Sequence, residues 1–447
     1  MSFYNRLISQ SERTNIIIRN VAFSSIIRGI SILISLILVP LALNYVSAEL
    51  YGIWLSLSSI VTWLGFFDVG LGLGMRNRLT TAIAYRKYKY GRVLVSTTYA
   101  FIFIIFSVVG FLSYIGCQYV DWPYWLNISP KYNEVVTLSF QIVLIAFCLR
   151  VVLLLISNVC EAFQNTALSS LIGMLSQIAS LLFLLFLVKV FVPNLIFLSM
   201  ALCLAPLLTY LFANILLFKS KFSIVSPSFK YIRKFVIKDV VQLGGQFFIL
   251  QVIVIVLYQS TNFIISHYCG PEQVTVYNVS YKYLNVALLL FTILQSPVWS
   301  AFNDAYAKKD FAWMKSIYRK LLFLCVISEF LLFLFVMISP FIYRYWIGNV
   351  VYIPFHITVL MGIYIGLNML NSIYAAIVNG LGKLKLETIC ACAQPFIYFP
   401  LIILFASRFK LEGIIMSLIA VNLPQIFFIV KQVNLVLSQK DTGIYSK

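Results

Sequence analysis

The sequence predicts an all-α polytopic membrane protein with about twelve transmembrane helices in two six-helix lobes around a central cavity. The first observation is a series of long apolar stretches separated by short loops. The second is the composition, since 62% of the 447 residues are hydrophobic, 11% are charged and the mean hydropathy is +0.96. A soluble domain is about half apolar and about a quarter charged. The third is an uneven distribution of Lys and Arg among the loops.

Each predicted span is long enough to cross the bilayer, because about 20 helical residues cover about 30 Å of hydrocarbon. The polar leader contains Arg6, Arg13 and Arg19 and no small-residue cleavage site, so we interpret the first span as a retained helix rather than a signal peptide. The spans are predicted at 21–44, 50–73, 93–117, 136–158, 168–191, 195–217, 242–267, 274–298, 321–343, 354–378, 387–407 and 411–433.

Basic residues concentrate in three loops, at 76–92, 219–238 and 308–320, and are sparse in the loops between them. Basic loops stay in the cytoplasm. We therefore expect both termini to be cytoplasmic and the protein to lie in a bacterial inner membrane. The formal charge of +19 is explained by this topology and by contacts with anionic membrane lipids. No nucleic-acid partner is expected.

The second half of the chain weakly repeats the first. Aligning 44–49 (NYVSAE) with 267–272 (HYCGPE) also brings the basic loop 76–92 onto the basic loop 308–320. Two parallel six-helix units are a known transporter plan, with the substrate path between them. The predicted organisation is an N-terminal lobe, a basic cytoplasmic linker, a C-terminal lobe and a cytoplasmic tail, at 1–217, 218–241, 242–433 and 434–447.

Ionisable and amide side chains inside the spans are costly in hydrocarbon, so each is a candidate functional residue. The cations Arg28, Arg150 and Lys282 outnumber the acids there and favour an anionic substrate, since Arg binds phosphate through two hydrogen bonds. Polar residues at helical spacing predict the rest of the cavity lining: Ser24, Ser31, Asn278, Asn285, Asn368 and Asn371.

The acids near the predicted cavity are Asp68 and Glu329, and both, with Arg76, are candidates for ion coupling or gating. A structural alternative is that Asp68 pairs with Arg76, that Glu161 neutralises Arg150, and that Lys282 extends towards the interface. The eight cysteines show neither metal-ligand spacing nor a disulfide pattern, so we expect no metal or cofactor and interpret them as packing residues.

Four short motifs support a resemblance to a family. They are ELYGIW at 49–54, FDVGLG at 67–72, EAFQN at 161–165 and NGLGK at 379–383. With twelve spans, the chain resembles the polysaccharide transporter family, which includes O-antigen flippases, within the multidrug/oligosaccharidyl-lipid/polysaccharide (MOP) exporter superfamily.

This resemblance implies a flippase for an undecaprenyl-diphosphate-linked oligosaccharide, acting by rocking of two lobes. Cavity cations would bind the diphosphate, and Arg28 and Lys282 fit that role, one in each predicted lobe. The superfamily also implies coupling to H⁺ or Na⁺, for which Asp68 and Glu329 are the candidate carriers. A monomer that works beside a polysaccharide polymerase and a chain-length regulator is the expected assembly.

Two other functions stay open at this point. A multidrug exporter of the same superfamily would move organic cations and should have acids deep in its cavity. A membrane oligosaccharide polymerase would present a large outer loop with catalytic groups, whereas the longest outer loop here, about 118–135, is short.

The topology predicts the labelling pattern of single cysteines introduced into a cysteine-free variant. An impermeant thiol reagent should label positions in the loop 118–135 from outside the cell. It should label positions in the loop 76–92 only after permeabilisation, because basic loops face the cytoplasm. The reverse pattern would overturn the topology.

Overall fold

The computed structural model describes residues 23, 26–65, 71–233, 237, 260–295, 302, 305–306, 308–381, 383, 385–440 and 443–446. Within these residues the protein is helical and has no β-strand, which confirms the predicted all-α class. We number thirteen helices. They are α1 (Ile26–Tyr45), α2 (Ala48–Trp63), α3 (Leu71–Ala84), α4 (Tyr88–Gly116), α5 (Trp122–Leu126), α6 (Asn133–Ala162), α7 (Thr166–Val190), α8 (Leu195–Lys219), α9 (260–269), α10 (Pro271–Gln295), α11 (Phe311–Trp346), α12 (Phe355–Leu381) and α13 (Lys385–Leu437).

A helix occupies at least part of every predicted span. Eight helices in the described part of the chain are long and apolar enough to cross a membrane. Helix is the expected structure in hydrocarbon, since it satisfies backbone N–H and C=O groups within one segment. Large apolar side chains such as Phe111, Phe212 and Phe330 are more than half exposed, as lipid-facing residues would be.

The last two predicted spans are joined directly within α13. The backbone leaves the helical region only at Lys410, where φ is 49° and ψ is −125°. Gly413 follows the turn, and a Cβ atom at this position would lie 2.2 Å from the backbone oxygen of Phe405. Glycine is therefore required where the second half of α13 passes so close to the first.

The chain divides into two compact units, Met1–Val252 and Ile253–Lys447. In the first unit α6 contacts α2, α3, α4, α7 and α8. In the second unit α12 contacts α10, α11 and α13. Each unit is thus built around one apolar helix that its neighbours surround. The lobe and linker boundaries expected from the sequence stay a prediction.

The repeat seen in the sequence recurs in the helix starts. α2 begins at Ala48 and α10 at Pro271, and the starts of α4 at Tyr88 and α11 at Phe311 are the same distance apart along the chain. Ser47 caps α2 by accepting a hydrogen bond from the Leu50 amide at 3.2 Å, and Gly270 precedes α10 with a left-handed φ of 88°. The two units therefore repeat the same helix starts with different local chemistry.

Part of the basic segment between the predicted lobes packs against the first unit. Phe222 and Val225 are fully buried, and the ring of Phe222 lies 4.9 Å from that of Phe163 at the end of α6. The backbone amides of Ser228 and Arg233 donate hydrogen bonds to the hydroxyls of Ser96 and Thr97 on α4, each at 3.0 Å. Residues 220–233 are thus anchored to the first unit.

Replacing Gly413 with alanine should destabilise the protein, because the new methyl group would collide with backbone atoms of Phe405 rather than with a movable side chain. We expect Gly413→Ala to lose most of the monodisperse protein in detergent. The measurement is size-exclusion chromatography after heating. Gly116→Ala is the matched control, since a Cβ atom there has no neighbour within 4 Å. Equal heat resistance of the two variants would contradict the packing described at the turn.

Candidate substrate-binding residues

Arg28 lies near the beginning of the described part of α1, with an exposed side chain. Within the described residues it has no hydrogen bond or ion pair. One turn along, the Ser31 hydroxyl donates to the carbonyl of Ile27 at 3.0 Å and is therefore satisfied by its own helix. Ser24 lies outside the described residues. Within the described part of the chain, Arg28 is thus a cation on the surface of a span, and none of its donors is used.

Arg150 packs inside the first unit between α6 and α8. Its guanidinium carbon lies 5.7 Å from the centroid of the buried Tyr210 ring, in a cation–π geometry. Its Nε is buried and has no hydrogen-bond partner within the described residues. This contact stabilises the α6–α8 interface and holds Arg150 against an aromatic face.

A polar network that was not singled out from the sequence lies beside Arg150. The buried Asn214 of α8 donates from Nδ2 to the carbonyls of Leu153 and Tyr210, each at 2.8 Å, and its Oδ1 accepts from the Tyr99 hydroxyl at 2.8 Å. One amide therefore joins α4, α6 and α8, the role that polar residues take between membrane helices. The available signal was a single amide within an otherwise apolar span.

Two residues of the family-like motifs, Gly72 and Glu161, lie where α3 packs against α6. A Cβ atom on Gly72 would lie 2.6 Å from Nδ2 of Asn158, so this glycine allows the helices to approach closely. One turn further along, Arg76 Nη1 forms an ion pair with Glu161 Oε2 at 2.7 Å. Glu161 therefore pairs with Arg76 and not with Arg150, contrary to the structural alternative. Asp68 lies outside the described residues.

The EAFQN motif also builds the connection from α6 to α7. Gln164 adopts a left-handed φ of 57°, and Asn165 caps α7 by accepting from the Leu168 amide at 3.3 Å. The Ser169 hydroxyl donates to Glu161 Oε1 at 3.4 Å. The Glu161 carboxylate of α6 is thus oriented by Ser169 of α7 as well as by its ion pair with Arg76 of α3.

The corresponding connection in the second unit uses a buried cation. Lys383, in the NGLGK motif between α12 and α13, is 7% exposed, and its ammonium lies 5.2 Å from the Tyr306 ring centroid. Its backbone carbonyl accepts a hydrogen bond from Gln432 at 3.1 Å. When the two halves of the sequence are aligned as above, Lys383 falls beside Glu161, so the two units close the same connection with opposite charges.

Three of the predicted polar residues share one face of α10 at steps of four and three residues. Asn278, Lys282 and Asn285 are all half-buried. Asn278 donates from Nδ2 to Oδ1 of Asn262 on α9 at 2.8 Å, which joins α9 to α10. Another α9 residue, Thr261, is fully buried and hydrogen-bonded to Tyr398 at 2.8 Å. α9 therefore uses polar side chains for helix packing.

On α12, the predicted residues Asn368 and Asn371 are half-buried. Oδ1 of Asn371 is buried and has no hydrogen-bond partner within the described residues. Glu329 of α11 lies against the backbone of α12 at Gly366, where a Cβ atom would be 2.6 Å from Oε2. The acid is thus half-buried between two helices of the second unit. No group of three or more potential metal ligands occurs in the described part of the chain.

Comparison with known proteins gives one curated relative and several solved structures. No family model matches the chain. A protein of Yersinia pseudotuberculosis, for which O-antigen export is the proposed role, is 24% identical over 91% of this chain and 92% of its own. The inward-facing multidrug resistance MATE transporter of the MOP superfamily covers 92% of this chain and 96% of its own, with a TM-score of 0.77 and 11% identity.

A second solved structure is a MOP superfamily transporter from Pyrococcus furiosus, described as having a binding pocket of reversed polarity that suggests a different function. It covers 96% of both chains, with a TM-score of 0.66 and 12% identity. The chain has the MOP transporter fold. This fold and the curated relative confirm the resemblance found in the motifs, and they favour a transporter over a membrane enzyme.

The ion pair between Arg76 and Glu161 should couple energetically in a double-mutant cycle. Because the two side chains are 40% and 25% exposed, we expect a coupling of about 1 kcal/mol in the free energy of unfolding. The variants are Arg76→Gln, Glu161→Gln and the double variant, compared by unfolding in SDS. Arg78→Gln with Glu161→Gln is the control cycle, and equal coupling in both cycles would argue against a specific pair.

Proposed function

We propose that the protein is a flippase that moves an undecaprenyl-diphosphate-linked oligosaccharide from the cytoplasmic to the periplasmic leaflet of a bacterial inner membrane. The observation that carries this proposal is the curated relative with a proposed role in O-antigen export, which matches 91% of the chain. The MOP transporter fold supports it, since alternating access in this fold needs no catalytic residue. Both termini are expected in the cytoplasm.

The cationic residues of the spans support an anionic cargo. A diphosphate that leaves water gains most from charge-assisted hydrogen bonds, which Arg28 and Lys282 can donate. Arg150 contributes positive potential rather than a direct contact, because it is held over the Tyr210 ring. We assign diphosphate binding to Arg28 and Lys282.

Amide side chains of the second unit fit contacts with sugar hydroxyls. Asn285 and Asn368 have no hydrogen-bond partner within the described residues, so both amides are available. The Asn278 Nδ2 group donates to Asn262 and to the Val274 carbonyl, which leaves the Asn278 side-chain oxygen as an acceptor. We therefore place sugar recognition on these residues, with Asn371 beside them and Ser24 and Ser31 in a secondary role.

Ion coupling is the part of the proposal that involves acids. Glu329 lies half-buried between α11 and α12, a position suited to reversible binding of H⁺ or Na⁺. Arg76, with its partner Glu161, joins α3 to α6, and in this proposal the pair is a gate that opens when the two side chains separate. Asp68 remains the second candidate carrier. A polysaccharide polymerase and a chain-length regulator are the proposed neighbours of a monomeric flippase.

Multidrug export is the second candidate function, because one solved structure with the same fold is a multidrug transporter. An organic cation would need acids at the binding site. The description of the Pyrococcus furiosus transporter links reversed pocket polarity to a different function, and the cationic residues of this chain suggest the same distinction. Dye efflux that depends on Asp68 or Glu329 would support this alternative.

The variants Arg28→Ala and Lys282→Ala should each reduce transport at least tenfold while membrane insertion and abundance stay normal. The reason is that each removes a charge-assisted contact with the diphosphate. The measurement is complementation of a deletion in the native host, followed by gel analysis of the surface glycan and leaflet assignment of lipid-linked units. Loss of long glycan chains, with single units accumulating on the cytoplasmic leaflet, is the expected result.

Lys189→Ala is the matched control, since this exposed lysine lies in the last turn of α7 and is not one of the predicted cation sites. Arg28→Lys and Lys282→Arg should retain a large part of the activity, because the charge remains. Normal transport by both alanine variants at normal abundance would refute the cation sites. An unchanged glycan in the deletion strain would instead refute the proposed cargo.

A further inference from the structure

A groove follows α4 on the surface of the first unit, between α4 and α6 at one end and between α4 and the segment 227–232 at the other. It consists of two adjoining cavities of about 340 and 390 Å³, both lined by Phe103 and Val152. One continues to Tyr114, and the other ends at the anchored segment 227–232. We propose that this groove binds the polyisoprenyl tail of an anionic lipid-linked diphosphate when the cargo is loaded, with the diphosphate at the basic segment before it reaches the transport cations. The proposal rests on the function proposed above.

The length of the groove identifies the kind of chain that it fits. Along α4 its lining extends from Ser96 to Tyr114, which at 1.5 Å per residue is about 27 Å. The hydrocarbon core is about 30 Å thick, so one phospholipid tail covers only about 15 Å of it. A phospholipid would therefore leave half of the groove empty, whereas a polyisoprenyl chain extends beyond one leaflet.

The shape of the groove suits a linear apolar chain. Its α4 side alternates the small residues Ala100, Ser107 and Gly110 with the large side chains of Phe103 and Phe111, which are both more than half exposed. A Cβ atom on Gly110 would lie 3.0 Å from Sγ of Cys148 on α6, so the two helices approach closely there. Inside a bilayer, an apolar chain binds a groove more tightly than it binds the surrounding lipid only if it packs closely against the groove.

Positive charge at one end supplies the second recognition element. The segment 219–238 contains six basic residues and no acid. Arg92 donates from Nε to the Ser226 carbonyl at 2.9 Å, and its guanidinium carbon lies 4.6 Å from the Tyr231 ring centroid. Together with the hydrogen bonds from the backbone amides of 228 and 233 to α4, these contacts fix the backbone that carries the exposed side chains of Lys230 and Arg233 next to the groove.

The cations next to the groove are complementary in charge to the headgroup, and the groove is complementary in shape to the tail. A diphosphate bears more negative charge than the single phosphate of phosphatidylglycerol, so it gains more from several nearby cations. These cations lie on the side predicted to be cytoplasmic, where a lipid-linked cargo would be loaded. The groove is therefore a docking site that holds the lipid anchor on the first unit.

The test measures binding of undecaprenyl diphosphate, without sugar, to the purified full-length protein by native mass spectrometry. Ser107→Trp places a bulky ring in the middle of the groove, at an exposed position. The matched control is Val108→Trp, since the neighbouring Val108 is 53% exposed and does not line the groove. We expect Ser107→Trp to bind at least tenfold more weakly than the wild type and Val108→Trp to bind normally. Lys230→Gln should weaken binding several-fold.

Two further ligands separate the proposed occupant from ordinary lipid. Farnesyl diphosphate, which has the same headgroup and a short tail, should bind more weakly than undecaprenyl diphosphate. Dioleoylphosphatidylglycerol should bind equally to both tryptophan variants. Equal loss of phosphatidylglycerol in Ser107→Trp would make the groove a general lipid site, and unchanged undecaprenyl diphosphate binding would refute the proposal.

Failure of the docking site and failure of the flippase function would give different results. A wild-type protein that binds undecaprenyl diphosphate in the groove but moves no lipid-linked oligosaccharide in proteoliposomes would refute flipping and keep the docking site. A wild-type protein that transports normally, with Ser107→Trp equally active and equally able to bind, would refute the docking site and keep flipping.

Discussion

The exclusion of water from the hydrocarbon core is the constraint on which the rest of the structure depends. Backbone polar groups form their hydrogen bonds within helices, and side-chain hydroxyls form theirs with carbonyls of the same helix. Ser31, Ser56 and Ser417 each donate to the carbonyl four residues earlier. A hydroxyl in a span is therefore not by itself a binding group.

Polar side chains that do not hydrogen-bond within their own helix can join neighbouring helices. Asn214 links three helices of the first unit, and Asn278 links α9 to α10 in the second. Glycines at crossing points serve the same purpose, as Gly72 does against Asn158 and Gly366 against Glu329. Helix contacts in each unit thus rest on small residues and single polar side chains, because apolar surfaces alone distinguish poorly between protein and lipid.

The charges fall into two groups with different physical roles. Arg76 with Glu161, and Arg150 with Tyr210, bind inside the first unit and stabilise its helix contacts. Lys383 does the same against Tyr306 in the second unit. Arg28 and the basic residues near the α4–α6 groove are exposed and can meet a ligand. Positive charge in this chain therefore stabilises helix packing in the first group and, as proposed above, is available for recognition in the second.

The sequence by itself determined the helical class and the places of the apolar spans, and it predicted an internal repeat, since length, hydropathy and charge placement act locally along the chain. It also located Arg28, Lys282 and Glu329 as costly residues within spans. Only the tertiary structure decided that Glu161 pairs with Arg76, that Arg150 lies over Tyr210, and that residues 220–233 pack on α4. These contacts join residues far apart in sequence, and which faces meet depends on glycine contacts and side-chain shape that periodicity does not encode.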